Sequence, residues 1–532
     1  MGRILLKNGL IMDGTGEEAY QGDILIEGNR IQEVSAVPIT VSDCKVLDCA
    51  GMAIAPGFID AHSHYDQLVC LPNELDYTEP FIRQGVTTYV AGQCGYSPAG
   101  ICGDYPPSLL LPNDQGIGPW NTYHEFFDNM RGFGMRQNLA MLAGHTTALS
   151  SAAGMTPQTP IPPADRKRTT TVLEEGMDAG CKGISFGLGY PPCKFMSDLE
   201  IREFAETAVK RGALIGVHSR VYNSAAPFLY GEEVSEPHNI RWHREFLGLF
   251  KNSGARIVIS HMAFIGKASW LTYEPFFEML NEYITDGGMD LWFDIYPYAM
   301  GATNVGLLLI PFFYDHLPSI YESKSLLAEL QKRLAERFED IGYPVSMMML
   351  CNAYCGKYRP YQGMFLPDLL EKTGMSLAEF FVDLYRESKG AGTIYTLFDY
   401  PEEILPEMMK HPHALYGTDA WYEPGSHQNA GTYGGFAKFL RLARETDGLT
   451  MEQAVKHMTG LTADRYHLYG RGYLRKGYFA DIVVFSPDSI AECATVENPD
   501  RYSKGIRHVF VNGSQIIHDG NLDIKSREGL IL

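Results

Sequence analysis

Eight times along the middle of this chain, a short apolar run rich in β-branched or small residues ends in a polar residue and gives way to a helix-length stretch. The runs are "MAIAPGFIDAHSH", "GVTTYVAGQC", "NLAMLAGH", "KGISFGLGY", "GALIGVH", "ARIVISH", "MDLWFDIY" and "HALYGTD". Strand alternating with helix at that count predicts an α/β chain, a (β/α)8 TIM-like barrel whose catalytic groups sit at the carboxyl ends of the strands. The polar residues fall at those ends. Amphipathic stretches such as "DLEIREFAETAVKRG" and "HNIRWHREFLGLFKNSG" supply the intervening helices, the second with a glycine stop.

The two ends of the chain read differently. "RILLKNGLIMDG" and "GDILIEGNRIQEV" near the start, and "FADIVVFSP" and "IRHVFVNGSQIIHDG" near the finish, are β-like runs broken by turns, with Asn-Gly as a hairpin signal. Residues 1–55 and 470–532 are therefore expected to build one small β-sandwich, with a barrel over 56–469 inserted between them. The gap between the seventh and eighth runs is long. It holds "SKSLLAELQKRLAERFEDIG", "MFLPDLLEKTG" and "SLAEFFVDLYRESKG", which predict a helical subdomain over 300–412 placed to cover an active site.

Composition narrows the partners. With 532 residues, 45% of them hydrophobic, the chain has material for a large core, and its formal charge of −20 argues against nucleic acid or an anionic membrane as partner. A small molecule fits better. The opening segment is too short and too interrupted for a secretory signal, no apolar run approaches a membrane span, and the ten cysteines read as cytoplasmic thiols. Cys351 and Cys355 in "CNAYC" have a zinc-like spacing but no nearby second pair, so they are read as buried thiols. The sequence leaves open whether the chain forms a homo-oligomer.

The strand ends carry the chemistry. His62 and His64, at i and i+2 of a strand, present two imidazoles on one face. Cys94 ends the second run, His218 the fifth, His261 the sixth and Asp419 the eighth. Imidazole and thiolate donors favour zinc, and a carboxylate binds a second metal or serves as a base. A lone histidine is more often structural, but ligand types ending five separate strands point to a metal site.

In this order, "PGFIDAHSHYD", "GVTTYVAGQCG", "GHTTAL", "GISFGLGYPP", "VHSR", "IVISHM", "FDIYPY" and "LYGTDA" resemble the amidohydrolase superfamily, and within it the D-aminoacylase (N-acyl-D-amino-acid deacylase) branch. The resemblance implies a zinc-dependent hydrolase of a linear amide bond. It also implies a tight site of Cys94, His218 and His261, and a second, weak or empty site of His62, His64 and Asp419. Relatives that bridge two metals with a carbamylated lysine on strand 4 differ here: "GISFGLGY" has no lysine, and Cys94 is the substitute. Asp419 would take a proton from water and pass it to the departing amine. His145, Tyr190, Arg220 and Tyr296 are candidate substrate contacts; each also has a plain structural reading, and for Arg220 this is a surface salt bridge.

Three contacts that the branch leads one to expect around a substrate carboxylate are missing. Ala263 stands where a lysine is expected, Ala302 where a serine is, and Gly431 where an arginine is. An unpartnered buried carboxylate costs several kcal/mol, so either Lys267, Arg241, Lys357 or Arg359 takes over or the substrate has no carboxylate there. Hydrolysis of an N-acyl amine without that group and ring opening of a cyclic amide are the alternatives. Deamination would want an acid close to His218. A scaffold that has lost catalysis is the remaining class, and the intact ligand set opposes it.

Overall fold

The computed structural model describes residues 2–69, 71, 74–103, 120–155, 158–226 and 235–532. Eight parallel strands follow one another: β1 Phe58–Asp60, β2 Val86–Ala91, β3 Asn138–Met141 continuing as Ala143–Gly144, β4 Gly183–Gly187, β5 Leu214–His218, β6 Arg256–Ile259, β7 Asp290–Ile295 and β8 Ala414–Tyr416. Ladders join each to the next, except that β3 passes from one ladder to the other between Met141 and Ala143. β8 lies back beside β1, where Ala61 N–H donates to the Tyr416 carbonyl at 3.2 Å and Asp419 N–H to the His62 carbonyl at 3.0 Å. The fold is the expected TIM-like barrel.

Local sequence explains the elements. β2 (VTTYVA) and β4 (GISFG) are buried along their whole length, as strands covered on both faces must be. The helix Asp198–Val209 opens with a capping box between Ser197 and Glu200, and Tyr123–Phe133 with one between Thr122 and Glu125. Each such cap is worth about 1 kcal/mol. At the end of β2, Gly92 takes φ +70°, and a Cβ there would stand 2.0 Å from the Leu142 carbonyl oxygen. Only glycine lets the chain turn that close to β3 and deliver Cys94 two residues later.

The first predicted run proves to serve two sheets. Ala53–Pro56 pairs with Ile482–Phe485 in a nine-stranded sheet drawn from both chain ends, and β1 begins beyond Gly57, whose Cβ position is filled by Thr87. In that sheet Asn512 and Gly513 both take positive φ between Ile506–Val511 and Ser514–His518, the hairpin turn that Asn-Gly signals. Between β7 and β8, helices Lys324–Ile341, Leu366–Thr373 and Leu377–Glu387 pack on their own core of Leu330, Leu334, Phe380 and Leu384. This insertion also holds an antiparallel sheet that the helical reading lacked, with Thr393–Thr396 between Gly301–Asn304 and Met348–Asn352. Its strands are four or five residues long, too short for a periodic signal. Among the described residues no helix is long and apolar enough to cross a membrane.

Candidate metal centre

The polar strand ends converge. Cys94 Sγ lies 3.4 Å from His62 Nε2 and 3.3 Å from His261 Nε2. His218 Nδ1 approaches His261 Nε2 to 2.7 Å, and Asp419 Oδ1 stands 3.4 Å from the Nε2 atoms of both His62 and His64. A tetrahedral zinc with ordinary bond lengths sets its nitrogen and sulfur ligands about 3.3–3.6 Å apart. The sulfur contacts match that spacing, and the His218–His261 contact would open slightly. Two overlapping donor groups result, His62–Cys94–His261 and His62–His64–Asp419. His62 belongs to both groups, and His218 stands against both His261 and Cys94.

The reason lies in a residue the sequence analysis passed over. Asp294, near the end of β7, is buried, and its Oδ2 lies 3.1 Å from His62 Nδ1 while its Oδ1 accepts the His261 N–H at 2.6 Å. Holding His62 by Nδ1 turns Nε2 toward the thiol, the usual outer-layer support of a metal-binding histidine. On the outer side of His261, Nδ1 lies 3.2 Å from the Tyr222 hydroxyl. Asp60 secures the eighth loop, accepting Thr418 N–H at 2.9 Å and the Thr418 hydroxyl at 2.6 Å. We expect Asp294→Asn to weaken zinc binding by about 10–100-fold. Competition against a chromophoric chelator measures this, and unchanged affinity would remove Asp294 from the site's support.

Electrostatics and backbone agree with a donor cluster. Burial alone would raise the Cys94 thiol, but His261 and His62 outweigh it and hold it well below the usual thiol range. Asp419 is likewise pushed up by burial and brought below the usual carboxylate range by His261, His62 and His64. Burial works against a charge on His64, yet Asp419 and Cys94 raise it to about 9. Cys94, His261 and Asp419 take positive φ of 54°, 34° and 46°. Such backbone is costly for non-glycine residues and gathers where a side chain must be aimed.

Residues 403–517 match the model of the Amidohydrolase family. Over 96% of this chain and 94% of the other, the sequence is 28% identical to a D-aminoacylase of Alcaligenes xylosoxydans xylosoxydans. A solved D-aminoacylase, described as defining a novel subset of amidohydrolases, superposes with a TM-score of 0.80 at 24% identity, covering 99% of each chain. The N-acyl-D-glutamate deacylase of Bordetella bronchiseptica, solved with zinc and a phosphonate mimic of the tetrahedral intermediate, superposes at 0.79 with 25% identity, again over 99% of each. The chain is an amidohydrolase of the D-aminoacylase branch.

In this amidohydrolase the four candidate substrate contacts divide. The Tyr190 ring lies 4.3 Å from that of His218, beside the cluster, and the Tyr296 hydroxyl donates to Asp399 Oδ2 at 2.8 Å. Arg220 donates to the Met196 carbonyl at 2.9 Å. His145 stands apart in a pocket of Phe186 and Phe204, its Nδ1 3.3 Å from Cys193 Sγ, and burial pulls it down to about 3. It is a neutral ring in an apolar setting, and its Nε2 has no hydrogen-bond partner among the described residues.

Two of the candidate cations are held in ion pairs. Arg241 pairs with Glu245, Lys357 with Asp383, Lys267 lies over Trp270, and Arg359 is exposed. Ala263 is buried beside the segment carrying His261, and Ala302 pairs with Tyr395. A Cβ on Gly431 would stand 3.4 Å from the Thr418 carbonyl oxygen, so a longer side chain there would begin beside the Asp419 loop.

Proposed function

We propose that this amidohydrolase is a zinc-dependent enzyme that cleaves a linear amide bond of a small N-acyl compound, in the manner of an N-acyl-D-amino-acid deacylase. One observation carries the reading: a thiol and four imidazoles from strands β1, β2, β5 and β6 gather beside Asp419. The residues fit zinc by donor type and by spacing, with His62, Cys94, His218 and His261 as the tighter group and His64 with Asp419 as the outer one. When bound, zinc polarises a carbonyl and lowers the pKa of water toward neutrality.

The chain's own residues supply the rest. Asp419, held ionised by the imidazoles around it, accepts a proton from the water that adds to the amide carbon. It then delivers that proton to the departing nitrogen, so acid and amine leave in balance. Tyr190 packs on the His218 ring and covers that side of the cluster against competing water. Free thiols at all nine described cysteines support a cytoplasmic protein. The structure's three parts support domains over 1–55 with 470–532, over 56–469, and an insertion over 300–412.

A panel tests the reaction. Zinc-loaded protein is offered N-acetyl-D- and N-acetyl-L-methionine, their primary amides and a cyclic amide, with release of free amine measured. Turnover of a linear N-acyl compound supports the proposal, and turnover of the cyclic amide alone would replace it with ring opening. The positions of Ala263, Ala302, Gly431 and the four cations favour the neutral amides over the free acids.

A further inference from the structure

Near the metal cluster sits a buried acid that has no basic partner. Asp399 follows the insertion strand Thr393–Thr396 and is 4% exposed. Its Oδ2 accepts the Tyr296 hydroxyl at 2.8 Å and its Oδ1 the Thr396 hydroxyl at 3.1 Å. Its carbonyl accepts Phe264 N–H at 2.6 Å, and a Cβ on Gly301 would stand 2.5 Å from Oδ2. The segment after His261, the end of β7 and the exit of the insertion therefore meet at one carboxylate. Among the described residues no lysine, arginine or histidine lies within ion-pair distance of it.

A carboxylate offers about four acceptor directions, and two hydroxyls fill two of them. Leaving a buried negative charge without a cation costs several kcal/mol, which neutral donors offset only in part. Burial raises Asp399 to about 6 against the pull of the two hydroxyls, and the ring of Tyr296, whose hydroxyl donates to it, lies 6.5 Å from that of His261, which places the pair beside the cluster. Its neighbours Ala263 and Ala302 bring no charge to this corner.

We propose that Asp399 reads the amine half of the substrate and selects a positively charged group there over a carboxylate. The inference rests on the amide-hydrolase reading and adds the substrate class: N-acyl derivatives of diamines or similar cationic amines. Tyr296, tied to Asp399, is the positioning hydroxyl of this subsite.

The test uses the zinc-loaded full chain and three matched probes: N-acetyl-D-methionine, its primary amide, and the analogue with an aminomethyl group in place of the carboxylate. The cationic probe should exceed the free acid in kcat/KM by at least about tenfold. Asp399→Asn should reduce that ratio by about tenfold or more, again converting to roughly 1.4 kcal/mol. Preference for the free acid in the wild type overturns the inference, as does a ratio unchanged by Asp399→Asn, which is the pattern of a residue that only ties the insertion to the barrel. No turnover of any probe overturns the amide-hydrolase reading itself. A readout independent of the variant's folding comes from wild-type inhibition against the neutral amide: an alkylammonium ion more potent than the matching carboxylate supports the assignment, and the reverse order overturns it.

Discussion

Asp419→Asn should lower kcat by about 10²–10⁴-fold, the range that a positioned acid–base group supplies. Asparagine keeps the size and can still occupy the loop that Asp60 pins through Thr418. It cannot accept the proton of the attacking water or return one to the leaving amine. The left-handed backbone at Asp419 is tolerated by asparagine about as well as by aspartate, so the fold should survive. The Cys94 group does not include Asp419, so the tighter metal should remain while any metal at the outer group weakens. Zinc content measured beside kcat separates these effects, and added zinc should not restore the rate. A variant that regained activity with excess zinc would show Asp419 to be a ligand rather than the base.

Cys94→Ala should have the opposite signature. The thiolate is the strongest zinc donor in the cluster, and removing it leaves imidazoles with no anion at the centre of the group. Zinc affinity should fall by more than about a hundredfold, beyond the loss expected for an outer-layer support such as Asp294. Activity at micromolar zinc should vanish with the metal, and millimolar zinc should recover part of it because His62, His218 and His261 remain. Removing the thiolate also relieves its pull on the histidines, whose charged forms it now favours. Full zinc occupancy in Cys94→Ala would move the metal to the His62–His64–Asp419 group.

The parts of this account legible in the sequence share one property: their signal is local. Each barrel strand is a short run with its polar residue at the end, so His62, His64, Cys94, His218, His261 and Asp419 stood out by position alone. The Asn512–Gly513 turn is equally local. What escaped depends on contacts between distant residues. Asp294 meets His62 across 232 positions of sequence, and no spacing within "FDIYPY" distinguishes it from any other acid near a strand end. Asp399 gains its meaning from Tyr296, Phe264 and Gly301, which three separate segments supply. His145 stands at a strand end, as a catalytic group would, and the rings around it come from two further elements, Phe186 from β4 and Phe204 from the helix Asp198–Val209.

The missing carboxylate contacts carry weight for the same reason. Reading Ala263, Ala302 and Gly431 identified an absence, but only the structure reveals that Lys357 and Arg241 are engaged by Asp383 and Glu245. It also reveals that an acid occupies the corner beside Ala263. A net charge of −20 adds a long-range bias toward cationic ligands, worth more in encounter rate than in affinity.

The central claim is that zinc in the His62–Cys94–His218–His261 cluster drives amide hydrolysis, and a zinc titration of stripped protein tests it most directly. The metal is removed with a chelator, zinc is returned in measured equivalents, and hydrolysis of N-acetyl-D-methionine amide is followed at each step. The account predicts no activity in the stripped protein and a rise that reaches its maximum as the first equivalent binds. Hydrolysis that survives complete removal of the metal, or zinc bound at full stoichiometry with no linear amide cleaved, would contradict it.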